Sequence, residues 1–199
     1  VVARIPLSEA LVNLVLGLKP EDTIALLPGI LTSICQVLRS RSEELREAVR
    51  KNLGHISVIL GPTYLTFIIR ELKAALTRGS QIHVLSYTVH HVLMSLSEVL
   101  QHGDMDDCAH IIVKITMEDI FGMAGQEKDA EGYTSKMKEV KFNKSYDTGE
   151  IMAANINLST FATLLAPVKA LLMERLALKS QKKLDELLRR YALGLNHNE

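Results

Sequence analysis

Tryptophan is absent, and aromatic residues of all kinds make up 5% of the 199-residue chain. Sandwiches and barrels use aromatic and β-branched side chains to fill a pleated face, so this scarcity argues against an all-β fold. Cysteine is nearly absent as well. Cys35 and Cys108 cannot form a disulfide framework, and in their apolar surroundings they read as small buried hydrophobes of a reducing compartment. Neither sign of charge is in excess, 23 basic residues balancing 23 acidic ones. A strongly basic nucleic-acid module is therefore not indicated for the chain as a whole, although charge can still be segregated onto faces. Apolar runs of bilayer length are lacking too: the longest, 24–38, is interrupted by Pro28, Thr32, Ser33 and Gln36, so no membrane is expected as a partner. The chain opens on Val1 rather than Met, and reads as a piece of something longer.

What is present in quantity is leucine at helical spacing. From Ser42, the apolar residues Leu45, Val49, Leu53, Ile56 and Leu60 mark one face of a helix. Gly61-Pro62 stops it, and proline suits the first position of a following helix. Leu65, Ile68, Ile69, Leu72 and Leu76 then share a face, with Arg78-Gly79 as the expected end. The pattern resumes through Leu85, Val89, Val92, Leu93, Leu96, Val99 and Leu100, followed by a shorter helix from Met105 to about Phe121. The two longer first helices start at Ser42 and Ser80, 38 residues apart. Helix pairs on short turns with a period near 40 are the mark of HEAT and armadillo arrays, in which each pair must cover its neighbour's apolar side. The expected fold is an all-α solenoid with helix pairs at about 7–39, 42–77, 80–121 and 151–194. A single such segment, 1–199, should leave apolar end faces, for which Leu16, Leu27 and the 193–195 stretch are candidates.

Little chemistry is visible. The chain has no phosphate-cradling glycine loop followed by lysine, no nucleophile elbow, no HExxH and no paired CxxC. His90 and His91 are adjacent on a helix and cannot both face one ion. Asp104, Asp106, Asp107, Cys108 and His110 match no zinc spacing, and read as an N-cap at Asp104 with acids in a first turn. No catalytic residue, metal ligand, cofactor or small-molecule substrate is expected, and the chain reads as a non-enzyme.

One stretch breaks the array. Between Gly122 and Gly149 lie four glycines, five lysines and five acids, with hardly any apolar periodicity. This reads as an inserted polar loop at 122–149, a length that tends to be functional or disordered. Tyr133, Lys136, Lys138, Lys141, Phe142 and Lys144 interleave cations with aromatics. Lysines neutralise phosphates and aromatics stack on bases, so the strip is a candidate RNA-gripping or partner-binding surface. Long and glycine-punctuated, it is expected to be cut by protease before the helices.

Two runs carry a family resemblance: Ala75-Leu-Thr-Arg-Gly-Ser-Gln-Ile-His-Val-Leu-Ser-Tyr-Thr-Val-His-His-Val-Leu93 and Ala124-Gly-Gln-Glu-Lys-Asp-Ala-Glu-Gly-Tyr-Thr-Ser-Lys-Met-Lys-Glu139. They resemble the DRIM (down-regulated in metastasis) family, giant HEAT-repeat components of the small-subunit processome, in a C-terminal portion. The resemblance implies a nuclear, nucleolar scaffold needed for maturation of 18S ribosomal RNA. Its implied partners are pre-ribosomal RNA, other processome proteins and neighbouring HEAT repeats of the same longer chain. The competing reading is a transport-receptor-like adaptor that binds peptide segments of other proteins.

Overall fold

A computed structural model describes residues 4–198. Eleven α-helices run in order among them: α1 Pro6–Leu16, α2 Pro20–Val37, α3 Glu43–Leu60, α4 Leu65–Ala75, α5 Gln81–Ser95, α6 Asp106–Phe121, α7 Met123–Asp129, α8 Lys138–Lys141, α9 Ser145–Asn155, α10 Leu158–Leu172 and α11 Leu178–Leu195. No strand occurs among the described residues, and no single helix is long and apolar enough to cross a membrane.

Local signals set the boundaries. The Ser42 hydroxyl accepts from the Leu45 backbone N–H at 3.2 Å and caps α3, with Glu43 and Glu44 in the first turn favouring the helix dipole. Gly61, at φ +80°, turns the chain into a short 3-10 helix at Pro62–Tyr64 that leads into α4. Helix α4 stops at Ala75, and Gly79 turns the chain four residues later. Asp104 does not cap α6. Its carboxylate accepts instead from the Gln101 N–H at 2.7 Å, closing the turn before the helix. The acids of the first turn are in place, and Asp106 accepts from the Asn157 backbone and side chain.

Two layers result. Helices α1, α3, α5, α9 and α11 pack successively side by side in one, and α2, α4, α6 and α10 in the other. This is an all-α solenoid of stacked helix pairs, with its core between the layers: Leu31, Leu53, Ile56, Leu65, Ile68, Leu72, Val89, Val92 and Ile112 are buried there. The apolar faces of α3 and α4 read from the sequence are inside, Leu45 only partly; α5 stops at Ser95, and Val99 in the turn beyond it is 45% exposed.

The fourth pair differs from its expected position. Helix α9 starts at Ser145, so α9 and α10 complete that pair and α11 opens a fifth. Apolar spacing hides α9 because it is short, weakly amphipathic and filled with small residues; Gly149 and Ala153 are buried. Close approach replaces large side chains here. A Cβ on Gly194 of α11 would lie 2.2 Å from the Glu150 carbonyl oxygen of α9, so the backbones meet where only glycine fits.

The stretch 122–149 is likewise not a featureless loop. It contains α7, α8 and the beginning of α9, and it fills the connection between the third and fourth pairs. Polar anchors replace apolar periodicity in holding it.

Candidate functional site

The first anchor is at α7. Gly125 lets this helix fold tightly against the end of α6, where a Cβ would meet the Ile120 carbonyl oxygen at 2.3 Å. Asp129, at its end, pairs with Lys183 and with Lys179 (3.4 Å), both on α11. Lys183 also donates to the Ile120 carbonyl at 2.8 Å. Burial acts to raise the Asp129 carboxyl, but the hydrogen bonds from Lys183 and Lys179 outweigh it and hold the group below its usual range.

The second anchor is a buried ion cluster. Arg46 and Arg50 are one turn apart on α3, so both reach the same point. That point is Glu139 of α8. Arg46 grips it with two bonds, Nε to Oε1 at 2.8 Å and Nη2 to Oε2 at 2.9 Å, while Arg50 Nη2 reaches Oε1 at 2.9 Å. The Glu139 and Arg50 side chains are fully buried and that of Arg46 nearly so. Arg46 also donates to the carbonyls of Ser40 and Arg41, tying the α2–α3 turn into the cluster. Arg50 bonds the Thr88 hydroxyl and lies over the Tyr87 ring at 4.7 Å. Burial alone would raise Glu139, but the charged bonds from Arg46 and Arg50 overcome it and bring the carboxyl down to about 2.

The third anchor centres on Asp119, buried near the end of α6. It bonds His83 Nδ1 at 2.6 Å through Oδ1, and its Oδ2 accepts from Asn143 at 2.9 Å and from Ser145 at 2.5 Å. Serine, aspartate and histidine thus meet with the carboxylate in the middle. Ser145 faces the acid rather than the imidazole, so the arrangement positions the start of α9 and does not activate a nucleophile. A further network ties α9 to α11, where Arg190 pairs with Asp147 and Glu150.

These anchors sort the residues expected to form a binding strip. Tyr133, Lys136, Lys141 and Phe142 are exposed, Phe142 at 61%. Lys138 and Lys144 are half-buried and engaged within the chain, Lys138 with Glu47 at 3.2 Å and Lys144 with Asp147 at 3.1 Å. The aromatic beside Lys138 is Tyr87 of α5, 5.7 Å from the ammonium, not a neighbour in the strip. In the C-terminal helix α11, Lys179, Lys183, Arg189 and Arg190 all hold acids.

Sequence reasoning passed over Arg46, Arg50, Glu139 and Asp119. One signal was available. Arg46 and Arg50 flank Val49 on the apolar side of α3, where two cations one turn apart require a buried acid; which acid was not legible, since Glu139 lies about ninety residues away. Cys35 and Cys108 are buried, and burial pushes their thiols up to about 12 and about 11. His90 and His91 are half-buried, which lowers both imidazoles from their ordinary value.

The family model for the U3 small nucleolar RNA-associated protein 20 domain matches residues 1–199. The chain belongs to this family. It is 64% identical over 198 residues to U3 small nucleolar RNA-associated protein 20 of Saccharomyces cerevisiae, and 44% identical over 199 residues to the protein of that name in Schizosaccharomyces pombe. All of this chain is covered in both comparisons, and it spans about 8% of the length of each relative. Within this chain, the run Ala124–Glu139 leads through α7 to the buried carboxylate of Glu139.

Proposed function

We propose that this chain is a non-catalytic scaffold segment of a nucleolar ribosome-assembly factor that serves 18S ribosomal RNA processing and small-subunit biogenesis. The observation that carries the proposal is the match along the whole chain to proteins named for association with U3 small nucleolar RNA. The anchored segment supports it physically: ion pairs at Asp129 and Glu139 hold the chain on either side of 130–138, and Tyr133, Lys136, Lys141 and Phe142 face outward. In this reading the partners are pre-ribosomal RNA and other processome proteins, the location is the nucleus and nucleolus, and the chain belongs to the C-terminal portion of a DRIM-type protein.

Neighbouring HEAT repeats of the same longer chain cover the two ends. Leu7, Leu11, Leu14 and Ile24 are exposed on the first pair, and Leu158, Leu172, Met173 and Leu178 near the other end. The end-face candidates shift accordingly: Leu27 is 2% exposed and Leu16 half-buried, while Leu193 and Leu195 are partly open at 36% and 38%.

The test is salt-dependent retention of single-stranded RNA by the chain. Lys136→Ala with Lys141→Ala should weaken retention uniformly across sequences and flatten the log–log salt slope by about 0.7 per lost phosphate contact. Lys138→Ala should change it least, because that ammonium already holds Glu47. If Tyr133→Ala or Phe142→Ala disrupts protein assembly more than the lysine pair disrupts RNA retention, the strip binds protein. No effect from either set would leave the strip a spacer and remove it from the proposal.

A further inference from the structure

A second surface lies where α4 ends, α5 begins and α7 folds back on α6. These elements enclose a cleft of about 430 Å³, a size that accepts one or two anchoring side chains. Its floor is apolar, with Leu85, Ile115 and Ala124 buried beneath it, and Met123 stands on its rim at 73% exposure. The walls differ in charge. The α4 side and its following turn contribute only cations, Lys73 and Arg78; the α6–α7 side contributes Lys114, Glu118 and Glu127. Among the described residues none of the three cations has an acid within 4.0 Å. Lys138, Lys144 and Lys183, by contrast, hold acids within the chain.

We propose that this cleft docks an extended segment of a partner protein in which a large aliphatic side chain is flanked by acidic residues. The aliphatic group covers the floor and Met123, and the flanking carboxylates meet Lys73 and Arg78 on the α4 wall. Desolvating the floor supplies affinity, while the one-sided charge fixes direction and excludes basic segments. Nucleic acid fits less well, since among the described residues no aromatic lines the cleft to stack a base. This surface is separate from the exposed strip, so it adds to the scaffold reading without relying on RNA contact by the strip.

The chain can be titrated into three fluorescein-labelled probes and followed by anisotropy: a peptide with two leucines between aspartate pairs, its counterpart with lysines for aspartates, and a dodecameric oligouridylate. Saturable binding of the aspartate peptide is expected, with the lysine peptide at least tenfold weaker. The double change Lys73→Glu and Arg78→Glu should weaken the aspartate peptide at least tenfold, and Met123→Asp several-fold. Thermal melts of each variant should match the parent chain; where the double variant melts early, Lys73→Gln alone should still weaken binding measurably. Absence of saturable binding, equal affinity for both peptides, or indifference to these substitutions in folded variants overturns the proposal. So does displacement of the peptide by oligouridylate, which would make the cleft a nucleic-acid site. None of these outcomes alters the strip's RNA retention, so failure here and failure of the strip proposal read out separately.

Discussion

The middle helices and the segment between the third and fourth pairs solve one physical problem in opposite ways. Helices α3 to α6 bury leucine, isoleucine and valine at helical spacing, and their position follows from area removed from water. The segment 122–144 has few such residues to bury, Val140 and Ala124 among them. It is located by Glu139 between two arginines, by Asp119 holding Asn143 and Ser145, and by Asp129 on two lysines. Burial of area tolerates sliding, whereas a bidentate carboxylate–guanidinium bond has one geometry. The polar segment is therefore fixed by direction and the apolar helices by packing, and the two should fail differently.

The largest effect is expected where an ion partner is removed from the buried cluster. Glu139→Ala leaves Arg46 and Arg50 buried without their shared acid, and should cost about 3–5 kcal/mol in urea melts. A cost under about 1 kcal/mol would mean that water reaches the arginines and that the cluster is peripheral. In the apolar region, Leu53→Ala removes a fully buried side chain from the centre of α3 and should cost about 2–5 kcal/mol. That loss should spread over the whole melt without singling out α8.

Acid sharpens the contrast. Glu139 lies at about 2 against an ordinary 4.5, a folded-state depression, so its contribution is complete above about pH 4.5 and disappears as pH falls through 2. The stabilisation at stake is of order 3 kcal/mol. Urea midpoints of the parent chain should therefore fall between pH 5 and pH 2.5 more steeply than those of Glu139→Gln. Parallel slopes would contradict the assignment. The smallest effect belongs to the surface pair: Lys138→Ala should cost no more than about 1 kcal/mol, since Lys138 and Glu47 are both partly open to solvent.

The same contrast explains what could be read in advance. Spacing at Val49, Leu53 and Ile56, together with the Ser42 cap and Gly61-Pro62, was enough to place α3 and the solenoid around it, because each signal acts within a few residues. Helix α9 was missed because its packing depends on Gly149 and Gly194, residues that carry no apolar signal. The anchors were missed because an ion pair spanning 93 residues, such as Arg46 with Glu139, leaves no local period. Lys138 and Lys144 were counted with the exposed lysines for a related reason: the identity of a lysine does not show whether an acid faces it.

Buried charge, not apolar burial, fixes the segment after α7. Limited proteolysis of the parent chain and Glu139→Ala under native conditions, with cleavage sites mapped by mass spectrometry, tests it most directly. In the parent chain, residues 138–149 should resist cleavage as long as the helices of the middle pairs do, with early cuts confined to 130–137. In Glu139→Ala, cleavage should extend through Lys141 and Lys144 while α3 to α6 stay protected. Early cutting at Lys141 and Lys144 in the parent chain, or identical cleavage maps for both proteins, would mean that Glu139 does not hold the segment.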